Sequence, residues 1–122
     1  MSGLAKQMMG GGTSFGQAQA MNGSVATAIS AAGTTQGTAT TLNAAVNVIG
    51  TAAASSGVIL PSCEVSDQVW VYNGGANTLT VYPDSSSQIN AVAVNSGVSL
   101  ATNTAMLFKR ITSTRWIGIL SA

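Results

Sequence analysis

The side chains that could carry out acid–base or nucleophilic chemistry are few in this chain. It has three carboxylates, Glu64, Asp67 and Asp84, one thiol, Cys63, and no histidine. Serine and threonine hydroxyls are plentiful, but such a nucleophile needs a base to accept its proton, and that base is most often histidine. We therefore predict that the chain is not an enzyme, and that it binds no cofactor and no metal ion.

Two weak patterns could be taken for ligand sites. Glu64 and Asp67 lie between Pro61 and a predicted strand, where capping a turn is a simpler role than binding calcium or forming a glycosidase pair. Gly10-Gly11-Gly12 has the flexibility of a phosphate-binding loop, but no predicted strand precedes it and no GK[ST] sequence follows. Neither pattern predicts a binding site.

Cys63 is the single cysteine, so it cannot form a disulfide within the chain. We predict a small apolar side chain in the core, which is how free cysteines usually behave. An intermolecular bridge or a reactive thiol is the alternative.

Charge is scarce along the whole chain. Lys, Arg, Asp and Glu make up 6% of the 122 residues, and the formal net charge is +1. Soluble domains usually spend about a quarter of their residues on these four types, partly to keep copies apart. A surface this poor in charge favours a subunit that other protein covers, and it lacks the basic field that holds nucleic acid.

The sequence also shows neither a signal peptide nor an apolar stretch long enough for a membrane-spanning helix. We therefore predict no membrane partner, and we expect synthesis in a cytoplasm. Three of the cations, Lys109, Arg110 and Arg115, fall in the last predicted hairpin. They either protect a sheet edge from wrong pairing or form a small contact patch for an acidic surface.

Residues 1–23 differ from the rest, because they are rich in glycine and have no usable hydrophobic period. We predict a flexible N-terminal arm at 1–23 and a single β domain at 24–122. The arm is either a solvated tail or a segment that docks on a neighbouring subunit. Its candidate anchors are its large apolar side chains, Leu4, Met8, Met9, Phe15 and Met21.

From residue 24 onward, short apolar runs alternate with turns. Strands are predicted at 24–30, 38–42, 46–49, 58–60, 68–72, 78–82, 89–94, 98–100, 105–111 and 115–120. A helix is possible in the alanine-rich stretch 42–54, but its β-branched residues favour strand. The predicted fold is all-β, an antiparallel β-sandwich or jelly-roll-like domain with an extended glycine-rich N-terminal arm.

Residues 68–72 and 78–82 flank Asn73-Gly74-Gly75, a combination that predicts a β-hairpin. Alternation places Val69 and Val71 toward the core. We expect Trp70, Tyr72 and Tyr82 to form a cluster on the opposite face of this hairpin. Exposed, clustered aromatic residues are typical of interfaces. The alternative is that another part of the same chain covers them.

The last predicted hairpin joins residues 105–111 to 115–120 through Thr112-Ser113-Thr114. Its predicted core residues are Met106, Phe108 and Trp116, together with Ile117 or Ile119.

From residue 33 to the end, the chain resembles a module that recurs in virion proteins of tailed bacteriophages. The residues that carry the resemblance are Gly33-Thr34-Thr35-Gln36, Asn47, Gly57-Val58-Ile59-Leu60-Pro61, Asp67-Gln68-Val69-Trp70-Val71-Tyr72-Asn73, Leu79-Thr80-Val81-Tyr82-Pro83, Ile89-Asn90, Phe108 and Trp116. These motifs are short and mostly structural, and they span roughly residues 25–120.

The resemblance implies a structural protein of the virion rather than an enzyme. A glycine-rich arm before one β domain is most similar to a capsid decoration (cement) protein, which binds the outside of the capsid and stabilises it. The implied partners are the major capsid protein and sister copies in a homotrimer, and the implied location is the capsid surface. The alternative is a tail fibre, head fibre or appendage module that binds a glycan or protein on the host surface.

Overall fold

The computed structural model describes residues 24–121, and the regular secondary structure of this part of the chain is almost entirely β-strand. Its strands are β1 (Val25–Ser30), β2 (Thr40–Thr41), β3 (Val46–Thr51), β4 (Gly57–Ile59), β5 (Gln68–Asn73), β6 (Leu79–Tyr82), β7 (Gln88–Ile89), β8 (Val98–Leu100), β9 (Thr104–Thr112) and β10 (Arg115–Leu120). One turn of 3-10 helix, Gln36–Thr38, lies between β1 and β2. The predicted all-β class is confirmed. No helix in residues 24–121 is long and apolar enough to cross a membrane.

The first six strands alternate between two sheets, so that the chain winds in coils. β1, β3 and β5 are parallel neighbours in a six-stranded sheet, while β2, β4 and β6 are parallel neighbours in a four-stranded sheet. Val25 pairs with Val46, and Val46 pairs with Trp70, so the chain advances by 21 and then 24 residues per coil. The first part of the fold is therefore a solenoid-like stack of three coils.

The last four strands close one end of this stack. β9 lies antiparallel to both β5 and β10, and β8 lies antiparallel to β6. β7 pairs in parallel with β10 at the edge of the six-stranded sheet. The predicted last hairpin is confirmed as β9–β10. At the other end of the stack, β1 and β2 have no further strand beside them among residues 24–121.

The predicted antiparallel arrangement is wrong for the three coils, whose strands run parallel. The hairpin predicted at residues 68–82 is also wrong, because β5 lies in the six-stranded sheet and β6 in the four-stranded sheet. The segment between the predicted strands at 24–30 and 38–42 likewise joins a strand of one sheet, β1, to a strand of the other, β2. Glycine and asparagine mark corners of coils here, where the sequence pattern predicted hairpin turns.

The corner after β5 shows the physical reason. The Asn73 side chain is fully buried, and its amide Nδ2 donates to the carbonyl oxygen of Leu100 at 2.9 Å. Its Oδ1 accepts the backbone N–H of Gly75 at 2.9 Å, and the Gly74 N–H donates to the carbonyl of Ile49 at 2.8 Å. The Gly74 bond ties the corner to the preceding coil, and the Asn73–Leu100 bond ties it to β8. β5 and β6 therefore leave the corner into different sheets.

Side chains from both sheets meet in one hydrophobic core. Alternate residues of each strand point inward, as the period-two pattern predicts. Its fully buried large side chains are Leu42, Ile49, Val58, Leu60, Val69, Val71, Leu79, Val81, Ile89, Leu100, Phe108 and Trp116. The same alternation determines which side chains point outward from the six-stranded sheet.

Candidate assembly surface

The outer face of the six-stranded sheet carries a continuous row of apolar side chains. The strand register places Val25, Val46, Trp70, Leu107 and Ile119 side by side on β1, β3, β5, β9 and β10. Because neighbouring strands lie about 4.8 Å apart, the row is about 19 Å long. We call this row, together with the next one, the apolar outer face.

The next row of the same face continues the apolar character. Val48, Tyr72 and Ala105 are paired across β3, β5 and β9. The hydroxyl of Tyr72 donates to Oδ1 of Asn103 at 3.5 Å, which places an amide beside the aromatic ring. On the other side of the first row, Lys109 marks the polar margin of the face.

Solvent reaches the apolar outer face in the described part of the chain. Val25 is 62% exposed, Trp70 is 42% exposed and Ile119 is 58% exposed. Soluble monomers seldom expose a contiguous apolar patch that spans several strands. Sheets with apolar side chains on both faces are usually covered on both. Among the described residues, this face is therefore the candidate assembly surface.

Two of the three predicted aromatic residues lie on this face. Trp70 and Tyr72 are outward and exposed, while Val69 and Val71, which alternate with them, are fully buried, as predicted. The placement of Tyr82 beside them is wrong. It belongs to β6 in the four-stranded sheet, where it is half-buried and its hydroxyl donates to the carbonyl of Thr34 at 3.0 Å.

The remaining residues of the apolar outer face were missed by sequence reasoning. Leu107 was assigned no role, and Ile119 was one of two alternatives for the core. Ile119 is outward and exposed, whereas Met106, Phe108 and Trp116 are core residues as predicted. Alternation in β9 and β10 indicates the outward positions, but only the pairing shows that they join Trp70.

The predicted anchors of the N-terminal arm, Leu4, Met8, Met9, Phe15 and Met21, lie outside the described residues. Their interface role stays a prediction.

The cluster of cations in the last hairpin is not a surface patch. Arg110 is buried and forms an ion pair with Asp84, with both carboxylate oxygens 2.9 Å from Nη1. Its guanidinium lies 5.3 Å from the ring centroid of Trp116, whose Nε1 donates to Asp84 at 2.9 Å. The prediction of edge protection or an acidic-partner contact is therefore wrong for Arg110, although it stands untested for Lys109 and Arg115.

The other titratable residues have local structural contacts. Asp67 caps a turn, as predicted, since its Oδ2 accepts the backbone N–H of Glu64 at 2.9 Å. Cys63 is half-buried against the core, and this burial, followed by the nearby charge of Asp67, raises the pKa of its thiol to about 11. Within residues 24–121, no group of three His, Cys, Asp or Glu side chains is placed to hold a metal ion.

No family model matches this chain, and no curated protein matches it in sequence.

Proposed function

We propose that this protein is a structural subunit of a bacteriophage virion, which binds the outside of the capsid and stabilises it. The observation that carries the proposal is the apolar outer face, exposed on an otherwise well-packed domain. The resemblance to virion modules supplies the identity of the partner, the major capsid protein. The low charge of the chain favours the same role, because little charge has to be desolvated on assembly.

The contact energy of one such face is comparable only with the lowest costs of association, so firm attachment requires several copies of the face. Complete burial of a large apolar side chain contributes about 1.5–3 kcal/mol, and the outward residues retain roughly half of their surface for burial. Before the costs of association, the burial energy available from one face is then about 3–6 kcal/mol, summed over Val25, Trp70, Tyr72 and Ile119. Repetition across sister copies multiplies this energy, since a homotrimer presents the face three times.

The homotrimer is part of the proposal and is tested on the isolated protein. We expect sedimentation equilibrium at micromolar concentration to give three times the monomer mass. A monomer at that concentration would contradict an independently stable trimer.

The attachment surface is tested with a matched pair of substitutions. Ile119 and Val94 are 58% and 53% exposed, but Val94 lies between β7 and β8, away from the apolar outer face. We expect Ile119→Thr and Trp70→Thr to weaken co-sedimentation with undecorated capsids at least tenfold, while Val94→Thr binds like the original protein. Threonine keeps the strand propensity of these positions. Equal binding by all three variants would show that this face does not attach the protein.

A second candidate function is a tail-fibre, head-fibre or appendage module that binds a host-surface glycan. It is favoured by the exposed rings of Trp70 and Tyr72 beside the Asn103 amide, an arrangement on which a sugar ring could stack and form a hydrogen bond. Copy number in purified particles separates the two roles. Hundreds of copies support the capsid, and a handful at the tail supports the appendage.

A further inference from the structure

The stack of coils ends at an open edge. β1 and β2 are the terminal strands of their sheets among residues 24–121, so alternate backbone N–H and C=O groups of β1 face away from β3 without a strand partner. Ile29 and Ala31 pack against the core at this end and are only half-buried. Open edges of this kind are usually covered, and the terminal coils of solenoids require a cap.

The sequence before β1 repeats the sequence of the first coil. When residues 3–23 are aligned with 24–44, the spacing is 21 residues and several apolar and turn positions coincide, although Met9 and Phe15 align with the polar Ser30 and Gln36. The identical pairs are Ala5 and Ala26, Gly12 and Gly33, Thr13 and Thr34, Gly16 and Gly37, Ala18 and Ala39, and Asn22 and Asn43. The same spacing separates Val25 from Val46, which are paired in β1 and β3. The repeat therefore has the length of the first coil step.

One of the identical positions has a strict structural requirement. Gly33 has a φ of +72°, a conformation that residues other than glycine rarely adopt, and a Cβ there would collide with Thr38. The aligned residue, Gly12, meets this requirement. A segment that repeats the first coil can thus form the same corner.

Three large apolar positions of the repeat also agree. Leu4 aligns with Val25 on the outer face, and Met8 aligns with Ile29, which packs on the core. A third pair is Met21 and Leu42, and Leu42 is 1% exposed. Side chains one coil apart in a parallel stack lie directly over one another, so Met8 would cover the half-buried Ile29 at the open end of the core. Met21 would take an inward position like that of the buried Leu42.

We propose that residues 3–23 bind the open edge of β1 and β2 as a further parallel coil of the same chain. The coil supplies strand partners for β1, buries Met8 over Ile29 and places Met21 at an inward position. This assignment replaces the docking of the segment on a neighbouring subunit and does not depend on the proposed function.

Hydrogen exchange of the isolated full-length protein tests this assignment. Deletion of residues 2–23 should remove protection from the β1 amides that face the open edge, with exchange at least tenfold faster, and leave β5 and β9 unchanged. Unchanged β1 exchange after deletion would overturn the proposal.

Point substitutions with matched controls test the register. Met8→Asp and Met21→Asp place charges at inward positions, whereas Met9→Asp and Ala20→Asp place them opposite Ser30 and Thr41, both of which are exposed. We expect only the inward pair to increase β1 exchange at least tenfold. Equal effects of inward and outward substitutions would overturn the register. Protection that rises with protein concentration would assign the segment to a second copy and overturn the same-chain arrangement.

Discussion

The buried ion pair between Arg110 and Asp84 makes a sharp prediction about stability. The two side chains are 6% and 13% exposed, and Asp84 also accepts the N–H of Trp116. Asp84→Ala leaves the guanidinium buried without its counter-charge, and loss of one partner of such a pair costs about 3–5 kcal/mol. Because the Asp84 side chain is 13% exposed, water can partly take its place beside the guanidinium. We therefore expect Asp84→Ala to lower the free energy of unfolding by about 3 kcal/mol, which is a large part of the stability of a small domain.

A double-mutant cycle tests the reasoning behind this magnitude. Arg110→Met removes the charge but keeps much of the apolar stem that packs on Trp116. If the cost of Asp84→Ala arises from the orphaned charge, adding Arg110→Met should recover part of it, and the two substitutions should couple by about 2 kcal/mol. Urea unfolding, followed by tryptophan fluorescence, measures each free energy, and Glu64→Ala at an exposed site is the control. Additive costs, or a loss below about 1 kcal/mol for Asp84→Ala, would refute the reasoning.

Two further predictions concern the corner after β5 and the thiol. Asn73→Ala should lower the free energy of unfolding by about 2–4 kcal/mol, because it removes the side-chain hydrogen bonds to the Gly75 N–H and to the Leu100 and Asn77 carbonyls. Asn43→Ala at an exposed site should cost little, and similar costs of the two substitutions in urea unfolding would contradict this role of Asn73. The pKa of the Cys63 thiol is raised to about 11 from the ordinary value of 9.0. We therefore expect labelling of its thiolate at pH 8 to be about a hundredfold slower than labelling of a free thiol. Labelling at the free-thiol rate would contradict the raised pKa. Between pH 9 and 11 the unfolded chain loses the thiol proton before the folded chain does, so the free energy of unfolding should fall with rising pH. Cys63→Ser should flatten this dependence. An unchanged slope in that variant would count against burial of the thiol as its cause.

Local alternation was sufficient to predict which side of several strands faces the core. Val69 and Val71 are buried and Trp70 and Tyr72 are exposed, as the period of two indicates. The core positions Met106, Phe108 and Trp116 in the last hairpin are confirmed for the same reason. These features depend on residues close together in the sequence, because successive side chains of any strand point to opposite faces.

The pairing of the strands could not be predicted from the alternation of apolar and polar residues. Asn73-Gly74-Gly75 allows a hairpin turn and a corner equally well, since both need glycine and a side-chain amide that bonds to nearby backbone. The preceding coil decides between them: Gly74 donates to Ile49, and a Cβ on Gly75 would lie 2.6 Å from the Ala52 nitrogen. No local signal reports that contact.

The composition of the candidate surface depends on the same long-range pairing. Two of its aromatic residues were predicted from one strand, but Val46, Leu107 and Ile119 join Trp70 only through the register of β3, β9 and β10. Tyr82 does not belong to the cluster, because β6 lies in the other sheet. Arg110 is buried rather than on the surface, because it pairs with Asp84 in the folded chain. The sequence alone determined the class of structure and the inward and outward positions of these strands, since both follow from local alternation. Tertiary structure decided which outward side chains form one surface, since adjacency across a sheet is set by residues that are distant in the chain.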